Sequence, residues 1–324
     1  MPATGSQRSS RQVTGDDIVI ETAWLYYENG LNQTEIAARL DVSRATVVNY
    51  LQLARERGHV QVRLSHDAFT GHRLAMALRD AFGLAGAFVV PDQGGIAADI
   101  AARVVRGAAD WLPSLLAPGD RLGVAWGKTI YDLSEALEPR PIAGLTVLQL
   151  VGSMATPYGF SADVCSSNVA HRLGASCVNL HVPAILSEAR IARMLRAEHL
   201  IAAQFDAINS FTKTLFAVGS CGEDSHVVSS GVATRQDLAW YLGQGAVGVL
   251  CGRFIDRAGA HIEGPLDDRM MAVDLARMRD RDAGILVVAG PERITAAVAA
   301  IRGGYATHLV TSVAQAEGML ALAR

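Results

Sequence analysis

The sequence predicts an α/β protein in two parts, an N-terminal winged helix-turn-helix and a larger domain built on a mostly parallel sheet. Three observations predict it. Residues 33–51, QTEIAARLDVSRATVVNYL, read as two short helices joined by a tight turn. Residues 60–64, VQVRL, alternate apolar and polar, which suits a half-exposed wing strand. From about residue 87 onward, short runs that are apolar throughout alternate with helical stretches, the signature of a parallel sheet covered on both faces.

Residues 1–14 are rich in Ser, Gln, Arg and Gly and are expected to be a disordered tail. Asp16 and Asp17 can open a first helix with Ile18, Ala23, Leu25 and Tyr26 on its apolar face, and Asn29-Gly30 ends it. In the central pair, Gln33-Thr34 opens the first helix, with Ile36, Ala37 and Leu40 inward, and Asp41-Val42 is the turn. Ser43 stands at the N-cap of the second, where its hydroxyl can accept from free amides of the first turn. Ala45, Val48 and Leu51 are the inward positions expected there, which turns Ser43, Arg44, Thr46, Asn49 and Tyr50 outward. Such side chains suit a helix entering the DNA major groove N-terminus first, since Arg forks onto guanine and Asn onto adenine. The alternative is a hairpin that is merely structural. Gly58 is the expected left-handed cap of the second helix. Residues 15–64 are therefore assigned to the DNA-binding part and 65–71 to a linker.

The remainder, 72–324, opens with a helix over 72–82 carrying Leu74, Leu78 and Phe82. Apolar runs follow at 87–90, 122–125, 145–150, 177–180, 215–218, 238–242, 247–250, 285–288 and 309–311. Helices are expected between them, at 96–116, 129–137, 161–173, 187–195, 198–210, 294–301 and 313–322.

Composition bounds the function. The 324 residues are 50% hydrophobic and 19% charged, with a net charge of −3. Any affinity for DNA must then come from a local patch, and Arg8, Arg11, Arg39, Arg44, Arg55, Arg57 and Arg63 supply one. The four cysteines, Cys165, Cys177, Cys221 and Cys251, are scattered without a C-x-x-C pair, so neither zinc nor a disulfide framework is expected. The polar start and the lack of a long apolar run predict a cytoplasmic chain with no membrane partner.

In sheets of this kind, ligands bind beyond the C-terminal strand ends. The loops there read Trp126-Gly127-Lys128-Thr129, Val151-Gly152-Ser153-Met154, Gly219-Ser220-Cys221-Gly222 and Ala289-Gly290-Pro291-Glu292-Arg293. Gly lets the backbone approach an anion, hydroxyls donate hydrogen bonds, and Lys128 and Arg293 add charge; together they could cradle a phosphate. Each loop alone is equally well explained by turn geometry. Trp126 reads as a lid or as core, His181 and His226 as satisfied loop histidines, and Asp256 as a partner for sugar hydroxyls or as a turn cap.

Five blocks in order, AWLYYENGLNQTEIAARLDVSRATVVNYL, GVAWGKTI, LQLVGSM, CGRFID and AGPERITAAVAAIRGGYATHLVTS, resemble the SorC family of bacterial sugar-responsive transcription regulators, related by the second domain to DeoR-type repressors. The resemblance covers residue 17 to the end. It implies an effector domain like the sugar-phosphate isomerases, turned from catalysis to sensing, with a phosphorylated sugar or sugar alcohol as effector and assembly into tetramers, or dimers of dimers. By position it implies Gly127, Lys128, Thr129, Gly152, Ser153, Gly290 and Arg293 at the effector, and Arg293 stands where the family usually has Lys. Val249 replaces a common acidic residue, and Val151 leaves its loop without a lysine.

The reading that results is a regulator, with repression of a carbohydrate-utilisation operon favoured. Gln33, Thr34, Ser43, Arg44, Thr46, Asn49 and Tyr50 face operator DNA. Gly127, Lys128, Thr129, Gly152, Ser153, Ser220, Gly222, Asp256, Gly290 and Arg293 face the effector. No catalytic residue, metal or cofactor is expected. The rival reading is a sugar-phosphate isomerase or deaminase with a fused DNA-binding module.

Overall fold

The computed structural model describes residues 15–60, 68–69, 72–92, 96–154, 161–222 and 225–323. The expected tail, the wing strand beyond Val60 and most of the expected linker lie outside these residues. The chain divides into two compact units, 1–65 and 66–324.

In the first unit, α1 (Gly15–Tyr27), α2 (Gln33–Leu40) and α3 (Arg44–Glu56) close on a small core of Val19, Ala23, Leu25, Ile36, Ala37, Val47, Leu51 and Ala54. An eight-residue helix such as α2 is marginal alone, so its ends matter. Asn32 caps it, accepting from the amides of Thr34 (2.9 Å) and Glu35 (3.1 Å), while Glu35 accepts from the Asn32 amide (2.7 Å). That reciprocal box contributes on the order of 1 kcal/mol. Asp41 turns the chain in the left-handed region at φ 54°. Ser43 then caps α3, accepting from the Thr46 amide at 3.0 Å. Arg57 on the C-terminal side of α3 pairs with Asp16 at the start of α1.

Two apolar faces differ from the sequence expectation. On α1 the buried residues are Val19, Thr22, Ala23 and Leu25, and Tyr26 is exposed. On α3 they are Val47, Leu51 and Ala54, while Ala45 is exposed and Val48 retains 44% of its surface. The helix is rotated from the expected register. Thr46 and Tyr50 therefore sit half-buried at its flank, whereas Arg44 and Asn49 remain exposed.

In the second unit, Phe69, placed in the expected linker, stacks its ring on Phe88 at 4.8 Å. His72 caps α4 (Arg73–Phe82), and β1 (Gly86–Val90) and α5 (Ala97–Trp111) follow. Next come β2 (Arg121–Val124), α6 (Lys128–Ala136), β3 (Thr146–Gln149), α7 (Ala162–Arg172) and β4 (Ser176–Val178). The chain continues through α8 (Ala189–Ala197), α9 (His199–Ile208), β5 (Lys213–Phe216), β6 (Gly219–Ser220), α10 (His226–Ser229) and α11 (Arg235–Gly243). It ends with β7 (Gly248–Leu250), β8 (Arg253–Ile255), β9 (Ala283–Val287), α12 (Ile294–Arg302), β10 (His308–Ser312) and α13 (Val313–Ala321).

Seven strands form one parallel sheet in the order β1-β10-β9-β5-β2-β3-β4. Its inner strands are apolar on both sides because each face carries its own core, one around Leu148, Phe216 and Leu286, the other around Val124, Val147 and Ile285. Only the edge strand β4 is exposed. The apolar run at 238–242 is part of helix α11. The run at 247–250 pairs outside the main sheet, in a small antiparallel sheet β6-β7-β8 whose other members the apolar-run pattern had not marked.

Strands β9, β5 and β2 are neighbours, so the loops at their C-terminal ends meet although Thr129 and Arg293 are 164 residues apart in sequence. That meeting point is the topological position at which a doubly wound sheet holds ligands.

Candidate functional site

The loops after β2, β5 and β9 line a solvent-open cleft of about 100 Å³. Trp126 to Thr129 form one wall, Ala217 to Gly219 a second, and Arg293 a third; Ser225, His226, Val249, Cys251 and Gly252 complete it. A wider groove of about 470 Å³ between α5 and α6 shares Lys128, Thr129 and Arg293 with the cleft.

Gly127 is the N-cap of α6 at φ +113°, a conformation an L side chain rarely adopts, and no side chain caps the helix. The first-turn amides of α6 therefore have neither an intrahelical acceptor nor a side-chain cap, and they carry the positive end of the helix dipole. Arg293, about a quarter exposed, approaches that helix end. Its Nη1 donates to Thr129 Oγ1 (3.1 Å) and to the Ala289 carbonyl (2.6 Å), and its Nε lies 3.4 Å from Glu292. Among the described residues no protein group bonds its Nη2. Lys128 is exposed and pairs with Asp132 at 2.6 Å, a surface ion pair that costs little to break. Amides, hydroxyl and guanidinium thus converge as an anion site requires.

Electrostatics around the cleft favour the same ligand. Burial and the Arg293 guanidinium hold the His226 imidazole below its ordinary value, so it is neutral at pH 7; its ring lies 4.8 Å from that of Trp126. Burial pushes the Cys251 thiol up to about 12, leaving it protonated. Among the described residues no carboxylate lines the cleft.

Of the expected effector residues, the structure brings Gly127, Lys128, Thr129 and Arg293 together here. Ser220 and Gly222 lie just behind the wall, where the Ser220 carbonyl accepts from Ser225 Oγ (2.7 Å) and the Gly222 carbonyl from the Ser225 amide (3.0 Å). Gly290, at φ +126°, shapes its turn. With the Gln315 amide oriented to satisfy both neighbours, the Gly290 N–H is taken by Gln315 Oε1 at 2.7 Å and has nothing left for a ligand.

The other three are elsewhere. Gly152 donates to the Met271 carbonyl (2.8 Å), and a Cβ there would fall 2.7 Å from the carbonyls of Val182 and Pro183, so close backbone packing explains that glycine. Ser153 is bridged to Pro183 and borders Asp163. Burial alone would raise that carboxyl, but hydrogen bonds from Ser161 and Ser153 outweigh it and hold it low; the charge repels an anion. Asp256 accepts from the amides of Ala258 (2.9 Å) and Ala260 (2.8 Å), which is the turn-cap reading. Ser225, His226, Cys251 and Gly252 were not expected at the site, and only strand order brings them there.

In the first unit, Arg44 Nε donates to Gln33 Oε1 at 3.2 Å, tying the outer ends of α2 and α3. The Ser43 hydroxyl is engaged by the Thr46 amide and lies 2.8 Å from Thr46 Oγ1. Thr34, Arg44, Ala45, Val48, Asn49 and Gln52 are exposed.

Comparison with known proteins places these observations. Residues 66–321 match the family model described as "Putative sugar-binding domain". The chain is 36% identical over 319 residues to the uncharacterized transcriptional regulator YjhU of Escherichia coli (strain K12), covering 97% of both. It is 30% identical over 297 residues to the deoxyribonucleoside regulator of Bacillus subtilis, covering 90% of this chain and 93% of that one. The crystal structure of the full-length sorbitol operon regulator SorC from Klebsiella pneumoniae superposes with a TM-score of 0.76 at 23% identity, over 95% of this chain and 99% of that one, which shows a shared fold. Among the described residues no helix is long and apolar enough to cross a membrane.

Proposed function

This chain belongs to the SorC/DeoR-type family of sugar-binding transcriptional regulators, and from that premise we propose that its second unit holds a phosphorylated sugar or sugar alcohol and thereby changes the grip of its first unit on operator DNA. One observation carries the proposal. The uncapped end of α6, Thr129 and Arg293 converge where three central strands end, in a cleft whose described lining has no carboxylate. The phosphate sits against the first-turn amides of α6 and the Arg293 fork, and Lys128 turns from Asp132 to join them. The sugar extends over Trp126 and His226. Val249 narrows the choice further, since an apolar wall offers the sugar no hydroxyl partner.

The operator is read by Arg44 and Asn49, which present an exposed guanidinium and amide on α3. Gln33 orients Arg44, Ser43 fixes the start of the reading helix, and Thr34 approaches the phosphate backbone. Thr46 and Tyr50, half-buried, shape the flank. The chain acts as a homo-oligomer, a tetramer or dimer of dimers, and as a cytoplasmic repressor of a carbohydrate-utilisation operon. Exposed Met194 and Leu200, at 60% and 74%, support self-association.

Sensing is favoured over turnover because the relatives named above are transcriptional regulators; His226, a neutral imidazole able to take a proton, is the described cleft residue through which turnover would have to run. The test combines a thermal-shift screen of sugars, polyols and their phosphates with operator binding by fluorescence anisotropy. A phosphorylated compound should raise Tm and change operator affinity, and its phosphate-free congener should do neither. Product formation at an ordinary enzymatic rate, or a Tm response blind to the phosphate, would overturn the proposal.

A further inference from the structure

The observed register of α3 leaves one large apolar side chain with no role in the core. Val48 retains 44% of its surface, although Val47 beside it is fully buried. It lies one turn after Arg44, three residues after Ala45 and one turn before Gln52, all exposed, so it stands at the middle of the outward face. Packing does not require it there, since the core is closed by Val47, Leu51 and Ala54. Its neighbours are groups that bond base edges, and exposed Arg39, Arg44 and Arg55 lend α2 and α3 positive charge that matches a polyanionic duplex. In the major groove, the one apolar feature a base pair displays is the 5-methyl group of thymine.

We infer that Val48, with Ala45, is a specificity-determining contact that reads thymine methyl groups in each operator half-site, next to the base edges bonded by Arg44 and Asn49. The inference rests on the DNA-reading assignment above and deepens it. Shielding a methyl group from water on both partners favours thymine over uracil by about fourfold per contact, the value expected for one buried carbon.

The experiment uses the full chain and the duplex it selects from a random library. That duplex is then rebuilt with every thymine of the half-sites replaced by deoxyuridine, which removes the methyl and keeps the pairing edge. Affinities are compared by anisotropy at one salt concentration. The wild type should bind the thymine duplex at least fourfold more tightly than the uracil duplex. Val48→Ala, at an exposed helical site that tolerates alanine, should lose most of that ratio through weaker binding to the thymine duplex alone. Val48→Thr, which keeps one methyl, should retain part of it. Equal wild-type affinity for the two duplexes, or an undiminished ratio in Val48→Ala, overturns the inference while leaving DNA reading intact. Selection of no preferred sequence at all overturns the DNA-reading assignment beneath it.

Discussion

Asp267 is the most informative residue to perturb in the second unit. Its carboxylate accepts from Arg253 Nη1 (2.6 Å), Tyr241 Oη (3.0 Å) and the Gly264 amide (2.8 Å), and lies 2.7 Å from His261 Nε2. Arg253 is 5% exposed and comes from β8, two residues beyond Cys251 in the cleft wall. Burial would raise the Asp267 carboxyl, but the bonds from His261 and Gly264 and the charges of His261 and Arg253 outweigh it and hold it at about 2, against an ordinary 3.8. That gap corresponds to about 2 kcal/mol of folding free energy. Because the folded value is the lower one, this stabilisation is complete above the unfolded value and drains away as pH falls toward the folded one. At pH 3 about 1 kcal/mol of it is already gone. Asp267→Asn should therefore cost at least about 2 kcal/mol at pH 7, and more to the extent that the buried Arg253 is left with only the exposed Asp274, 3.3 Å from its Nη2, as counter-ion. Urea unfolding followed by tryptophan fluorescence reads this well, since Trp111, Trp126 and Trp240 all lie in the second unit. The variant and wild-type stabilities should converge by about 1 kcal/mol between pH 7 and pH 3. Curves that stay parallel over that range would show that the depressed carboxyl is not what stabilises the lobe.

Further outcomes are expected at the cleft and on DNA. Arg293→Gln should weaken binding of a phosphorylated effector tenfold or more, since a charge-assisted hydrogen bond is worth about 1.5–3 kcal/mol, while the phosphate-free congener, followed by calorimetry, is little changed. Gly127→Ala should lower Tm through about 1–3 kcal/mol of backbone strain at φ +113°, and should weaken the effector as well because it displaces the start of α6. Arg44→Ala should reduce affinity for the selected operator far more than for random DNA; equal losses would assign Arg44 to the phosphates alone. The effector and the operator should alter each other's Kd by the same factor, measured in both directions, because linkage between two binding sites is reciprocal.

The helical pair was legible because its boundary signals are local: Ser43 caps where expected, Asp41 turns, and Gly58 takes a positive φ. The face of α3 was not. Ala45, Val47, Val48, Leu51, Leu53 and Ala54 are all apolar, so two registers satisfy the same helical spacing, and only packing against α1 and α2 selects Val47 over Val48. The parallel sheet was legible from apolar runs, but strand order is a long-range property that no run carries. The loop after β3 reads as a candidate beside those after β2 and β9, yet its backbone is bonded to Val182 and Met271 instead. Gly127 and Gly152 show the same limit. Both are loop glycines after parallel strands, one needed for a positive φ at a helix start, the other for room beside two carbonyls.

These placements bear on how the sensing proposed above would work. An anion held by amides, a threonine and an arginine gains charge-assisted bonds that require no proton transfer. The remaining described walls offer a neutral imidazole, a protonated thiol and apolar side chains, none of which has to react for the binding free energy to have an effect. It can act on a conformational equilibrium instead, but only by as much as the ligand's affinity differs between two arrangements of the cleft. In the reading proposed above, Arg293 creates that difference. Its Nη1 holds Thr129 and the Ala289 carbonyl, joining the loop after β9 to the first turn of α6, while Nη2 is the nitrogen left for a phosphate. A ligand that recruits the guanidinium must compete with or reinforce that tie, and the relative position of two loops from neighbouring regions of the sheet becomes a function of occupancy.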